Sequence, residues 1–95
     1  MNKKELIAAV AEKSGLNLRT TEKAITAFTE VVVEEVANKG RVKMIDFGTF
    51  EARFRVGRIG KDPRNGQAIK IESNTIPVFK AGKAFRKIVS DKNSK

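Results

Sequence analysis

Residues 53–71 read RFRVGRIGKDPRNGQAIKI. Arg53, Arg55, Arg58, Lys61, Arg64 and Lys70 are basic, and Asp62 is the only acid among them. The middle, Lys61-Asp62-Pro63-Arg64-Asn65-Gly66, concentrates turn formers, and Asn-Gly is a strong signal for chain reversal. Phe54, Val56 and Ile59 precede it and Ile69 and Ile71 follow it, all with β character. The pattern predicts a long two-stranded ribbon with Pro63 near its tip. Too few large apolar residues are present to bury both faces, and a lone ribbon is marginal in water. Ten extended residues reach roughly 33 Å, far enough to follow a groove around a duplex.

Arginine suits that role. Its planar fork bonds phosphate, and it enters a narrow minor groove where negative potential is enhanced. Any one of these arginines taken alone is better read as part of a solubilising hairpin. Six of them against one acid on one ribbon point to nucleic acid. For Pro63 the residues by themselves favour a plain turn former, with a wedge between base pairs as the alternative.

Beyond the ribbon, a strand is predicted over about 75–79, with Pro77 tolerable at an edge or strand end. A short helix follows Gly82, with Phe85, Ile88 and Val89 as its apolar face, and residues 91–95 read as a frayed tail. Lys80, Lys83, Arg86 and Lys87 cluster around the start of this helix. They fit either phosphate binding at a helix N-terminus or a solvated face. Lys3 and Lys4 extend the same two readings.

Before the ribbon, Val42 and Met44 alternate with Lys43, and Phe50, Ala52 and Phe54 alternate with charged residues. Asp46-Phe47-Gly48 between the two runs predicts a hairpin turn. Asn2 and Glu5 have capping-box spacing, opening a helix over about 3–14 that Ser14-Gly15 stops. A second helix starts near Asn17 or Thr20 and ends at Asn38-Lys39-Gly40, with Gly40 suited to a left-handed C-terminal position. Its stripe is Ala24, Ile25, Phe28, Val32 and Val36, yet Val31 and Val33 lie off it. So wide an apolar arc exceeds what one buried face needs. Either β-branched residues crowd a buried helix, or the helix packs on its own domain and on a second subunit.

The chain has 95 residues, enough for one small domain, here divided as 1–40 helical, 41–80 sheet with the basic arm at 53–71, and 82–90 a terminal helix. A domain this size buries a modest core, which favours a partner subunit. The net charge is +9, and it is uneven: residues 1–47 hold eight basic and seven acidic side chains, residues 48–95 twelve and four. A polyanionic partner should therefore meet the second half. Cysteine and histidine are absent, which removes disulfides, the usual zinc ligands and His- or Cys-based nucleophiles. No catalytic residues, metal site or cofactor are expected. The apolar patch from Leu6 to Ala11 is too short for a signal peptide and nothing approaches a spanning helix, so a cytoplasmic location is expected and no membrane partner. RNA is a competing partner, although the Tyr and Trp that often stack unpaired bases are missing. Charge-driven binding to an anionic membrane or an acidic protein is another; it calls for a basic amphipathic helix rather than a ribbon.

The order helix, helix, hairpin, basic arm, strand, short helix resembles the HU/IHF family of bacterial histone-like DNA-binding proteins. The resemblance runs from Asn2-Lys3-Lys4-Glu5-Leu6 to about Val89. Its most specific parts are Asp46-Phe47-Gly48-Thr49-Phe50-Glu51, Pro63 with Gly66, and Ile76-Pro77-Val78-Phe79-Lys80 followed by Gly82-Lys83. It implies an α+β fold: an intertwined homodimer with a helical body, an antiparallel β-saddle and two extended ribbon arms that embrace double-stranded DNA through the minor groove. Arg53, Arg55, Arg58, Lys61, Arg64 and Lys70 would line the arm, with Pro63 as the intercalating wedge. Lys3, Lys80, Lys83 and Arg86 would touch phosphates from the body. Phe47, Phe50 and Phe79, with Phe28 and Val32, would form the dimer core. The implied role is compaction of the bacterial nucleoid by non-specific binding and bending, favouring bent, nicked or gapped DNA. An identical or a paralogous partner copy, and HU-like or site-specific IHF-like binding, all remain open at this level. The chain departs from the family's common pattern at Ala81, where proline is frequent, and at Asp62, where asparagine is frequent.

Overall fold

The computed structural model describes residues 1–94 and divides the chain into two compact units, Met1–Glu34 and the remainder from Glu35. In the first unit, α1 spans Lys3–Ser14. The Asn2 side chain accepts from the Glu5 N–H at 2.9 Å, and the Glu5 carboxylate accepts from the Asn2 N–H at 3.2 Å. This reciprocal box satisfies two N–H groups that a helix start otherwise leaves without partners. Gly15 at φ 79° ends the helix.

Helix α2 spans Leu18–Ala37 and continues into the second unit. Of the two starts the sequence allowed, the chain uses Asn17, whose Oδ1 accepts from the Thr20 N–H at 2.7 Å. Ile7, Ala11 and Thr21 are the buried positions of the first unit. Thr21 is only 1% exposed, and its hydroxyl donates to the Asn17 carbonyl at 2.8 Å. The C-terminus of α2 differs from expectation. The Lys39 N–H donates to the Val36 carbonyl and the Gly40 N–H to the Glu35 carbonyl, a Schellman arrangement whose left-handed residue is Lys39 (φ 62°), not Gly40. A side chain in that region costs about 1 kcal/mol. Lys39→Gly is therefore expected to stabilise the protein by about 1 kcal/mol in chemical denaturation.

In the second unit the order is β1 (Arg41–Met44), β2 (Gly48–Arg55), β3 (Arg58–Lys61), β4 (Ala68–Ile71), β5 (Asn74–Ala81) and α3 (Lys83–Lys92). β1, β2 and β5 form an antiparallel sheet with β2 in the centre, and β3 and β4 form a separate two-stranded ribbon. The β1–β2 turn is Ile45-Asp46-Phe47, one residue earlier than predicted. The Phe47 N–H donates to the Met44 carbonyl at 3.1 Å, and Asp46 takes the positive φ of 70°. Gly48 is instead the first residue of β2. A Cβ there would lie 2.5 Å from the Phe79 ring and 2.6 Å from the Lys80 carbonyl, so the position demands glycine for space rather than for turning.

The strand predicted at 75–79 extends to Asn74–Ala81, and Pro77 lies on it at the sheet edge, where a missing donor is tolerated. Helix α3 reaches Lys92, so Asp91 and Lys92 belong to it rather than to a tail; Lys95 lies outside the described residues. Phe79 stands at the centre of four rings, with centroids 4.8 Å from Phe50, 5.4 Å from Phe47 and 6.2 Å from Phe85. Sequence pattern had assigned Phe85 only to the face of its own helix.

Candidate nucleic-acid interface

Strand register sorts the charges. Residues directly opposite in an antiparallel pair share a face, and each face takes every second residue. From Arg41↔Glu51, Lys43↔Thr49, Thr49↔Lys80 and Arg53↔Ile76, one face of the sheet carries Arg41, Lys43, Arg53, Arg55 and Lys80. All five are exposed, and Glu51 is the only acid on that face. The other face carries Val42, Met44, Phe50, Ala52, Phe54 and Phe79.

Glu51 lies opposite Arg41 and places its carboxylate 3.8 Å from the Lys80 ammonium. Arg41, Lys43, Arg53 and Arg55 make no ion pair with any described residue. Free cations packed on one sheet face repel each other and are neutralised best by an external polyanion.

Arg53 and Arg55 thus differ from expectation. They belong to β2, paired with Ile76 and Asn74 of β5, and lie on the sheet rather than on the arm. Arg41 and Lys43 were missed as candidates because they are isolated charges in sequence. Period-two alternation in 41–44, followed across the hairpin register, would have put them beside Arg53.

The arm itself runs from Arg58 to Ile71. Both strands leave the sheet at the same level, at Val56-Gly57 and at Glu72-Ser73. In the ribbon Arg58 opposes Ile71, Ile59 opposes Lys70, Gly60 opposes Ile69 and Lys61 opposes Ala68. One face therefore holds Arg58, Ile69 and Ile71, and the other Ile59, Lys61 and Lys70. Neither face has a core: Ile59 is 78% exposed, and Ile69 and Ile71 are also exposed. A ribbon without a packed face contributes little stability of its own. Lys70 lies 3.8 Å from the Glu72 carboxylate, with both side chains open to water; such a pair is worth little.

The chain reverses within the predicted run of turn formers, in a loop wider than Asn65-Gly66 alone. The Asp62 N–H donates to the Gln67 carbonyl at 2.8 Å and the Gly66 N–H donates to the Asp62 carbonyl at 2.7 Å, enclosing Pro63-Arg64-Asn65-Gly66. Only Gly66 takes a positive φ, 71°. Asn65 serves the loop through its side chain, which accepts from the Gln67 N–H at 2.9 Å. Pro63 is exposed at the free end.

Lys83 and Arg86 are exposed on the first turn of α3. That helix starts at Gly82 without a side-chain cap and has no acid in its first turn, which leaves N–H groups and a positive dipole end beside the two cations. Lys3 opens α1 in the first unit and is exposed. Of the predicted core residues, Phe47, Phe50 and Phe79 come together; Phe28 is exposed and Val32 half-buried on α2. Among the described residues no group of acidic side chains is placed to hold a metal, and no helix is long and apolar enough to cross a membrane.

The three-stranded sheet has one cationic face and is extended by a basic two-stranded arm, and the chain belongs to a family of nucleic-acid-binding proteins: residues 1–90 match the family described as bacterial DNA-binding protein. The chain is 51% identical over 88 residues to the DNA-binding protein HU of Lactococcus lactis subsp. lactis (strain IL1403), covering 93% of this chain and 97% of that one. It is 46% identical over 86 residues to the protein of the same name from Clostridium pasteurianum, covering 90% and 94%. Among solved structures, a cocrystal of Anabaena HU with DNA matches at a TM-score of 0.87 with 38% identity, covering 95% of this chain and 98% of that one. HU from Thermotoga maritima matches at 0.66 with 30% identity, covering 94% and 98%. The Lactococcus and Clostridium relatives are named as DNA-binding proteins and not as enzymes.

Proposed function

We propose that the protein binds double-stranded DNA as a homodimer, without sequence preference, and bends it, compacting and organising the bacterial nucleoid. The observation that carries this reading is the single sheet face bearing Arg41, Lys43, Arg53, Arg55 and Lys80, continued by an arm that ends in the exposed Pro63. The face meets the phosphates. Arg58, Lys61, Arg64 and Lys70 follow the minor groove, and Pro63 enters between base pairs. Lys3, Lys83 and Arg86 extend the contact along flanking phosphates. Aromatic rings are absent from the cationic face, which favours a duplex over the unpaired bases that proteins commonly stack on such rings. The cocrystal of Anabaena HU contains DNA and gives the same direction to the reading.

Two copies are needed because one is short of core. Among the described residues only Ile7, Ala11 and Val36 are buried apolar side chains, while Ile45, Phe47, Ile88 and Val89 are exposed beside one another around the start of β2 and the end of α3. A second copy covers them and presents a second arm. Bending a short site costs on the order of 1–6 kcal/mol and unstacking a few more per step, which the phosphate contacts must offset. DNA already bent, nicked or gapped spares part of that cost and binds more tightly, and the location that follows is the nucleoid, in the cytoplasm.

The decisive experiment is energy transfer between labels at the two ends of a short duplex at saturating protein. The wild type is expected to draw the ends together, and Pro63→Ala to relax much of the bend while binding persists. DNA left straight by the saturated wild type refutes the reading. An angle unchanged by Pro63→Ala removes the wedge from it.

A further inference from the structure

Asp62 is the one acid in the arm, and its side chain is folded inward. It is 14% exposed, whereas the neighbouring Arg64 side chain is 89% exposed. One oxygen, Oδ1, accepts from the Arg64 N–H at 2.8 Å and also faces Arg64 Nε at 3.5 Å. The first contact spans Pro63 in an Asx turn, in which a side-chain oxygen replaces the backbone acceptor of an ordinary turn. Proline cannot donate, so the next available N–H after Asp62 is that of Arg64. The backbone of Asp62 meanwhile closes the loop against Gln67 and Gly66. One residue therefore holds both sides of Pro63: its main chain anchors the backbone that precedes the proline, and its carboxylate takes the first donor that follows it.

Two separable effects arise from one group. The oxygen, as an acceptor, fixes the path of the chain through Pro63. The charge restrains the Arg64 guanidinium and opposes the phosphates on either side of an inserted tip. We propose that Asp62 is a positioning residue of the arm, whose acceptor oxygen sets the direction in which Pro63 leaves the ribbon and whose charge weakens the grip of the tip on DNA. The proposal rests on the DNA-bending reading and adds to it a residue that touches neither base nor phosphate.

Asparagine keeps the acceptor and removes the charge; alanine removes both. The end-labelled duplex assay is run at saturation with the wild type, Asp62→Asn and Asp62→Ala, alongside binding titrations at several salt concentrations. Asp62→Asn is expected to bend DNA as the wild type does. It should also bind several-fold more tightly, with a salt slope steeper by up to about 1.8, about 0.9 for each copy, as the two Arg64 side chains each become free for one more phosphate. Asp62→Ala is expected to share the steeper slope but lose bend angle. The tip is exposed, so matching melting curves for all three establish that the fold is intact. Equal bend angles for the two variants overturn the positioning role, and an unchanged slope for Asp62→Asn overturns the role of the charge. Straight DNA with the wild type itself overturns the underlying reading as well, which distinguishes the two failures.

Discussion

Raising monovalent salt from about 50 to about 200 mM is expected to weaken binding to duplex DNA by roughly 10³–10⁵-fold. The cause is counterion release: each phosphate neutralised by a lysine or arginine frees cations condensed on the DNA, and added salt opposes that release. One copy brings Arg41, Lys43, Arg53, Arg55 and Lys80 on the sheet and Arg58, Lys61, Arg64 and Lys70 on the arm. Glu51, Asp62 and Glu72 offset Lys80, Arg64 and Lys70 in part. Two copies bring eighteen such cations; with about six to ten of them on phosphate and a slope near −0.9 per phosphate, the stated loss follows. Arg55→Ala and Arg58→Ala should each reduce the slope by up to about two, about one for each copy, and weaken all sequences alike. Fluorescence titration across the salt series measures both. A nearly flat series would mean that the cationic face does not meet phosphate, and a loss confined to one sequence would mean base readout.

Phe79→Ala is expected to cost about 3–5 kcal/mol in denaturant unfolding, the range for removing a fully enclosed ring. In one chain Phe79 is 40% exposed although it contacts three other rings. A ring left so open should cost less, since the loss scales with the apolar area withdrawn from water. The full cost arises only when a second copy covers the cluster. The unfolding midpoint should accordingly rise with protein concentration, because dimer formation contributes to stability by mass action. A cost below about 1.5 kcal/mol, roughly one aromatic pair, with a concentration-independent midpoint, would argue that each chain stands alone.

How far sequence alone reached depended on the range of the interaction. The α1 cap was legible because Asn2 and Glu5 satisfy each other within one turn. The ribbon was legible from composition, since six cations lie in and around a cluster of turn residues. Its root was not: whether Arg53 and Arg55 belong to arm or sheet is decided by pairing with Ile76 and Asn74, some twenty residues away in the chain. The same holds for Gly48, which reads as a turn glycine until the Phe79 ring is seen beside it. Glycine as a marker of left-handed backbone also misled at Gly40, because the hydrogen bonds ending α2 put the left-handed residue at Lys39. Arg41 and Lys43 joined the candidate surface only through strand register.

Pro77 has a consequence where many copies lie side by side. It lies in the middle of β5, opposite Ala52 at the border of the sheet. The amide it lacks is not one that the ladder to β2 requires, so the missing donor is on the outward side. An incoming strand from another molecule would find a gap there, flanked by the cationic Lys80. Borders of this kind resist sideways growth into fibres, so copies crowded side by side on DNA are kept from fusing through β5.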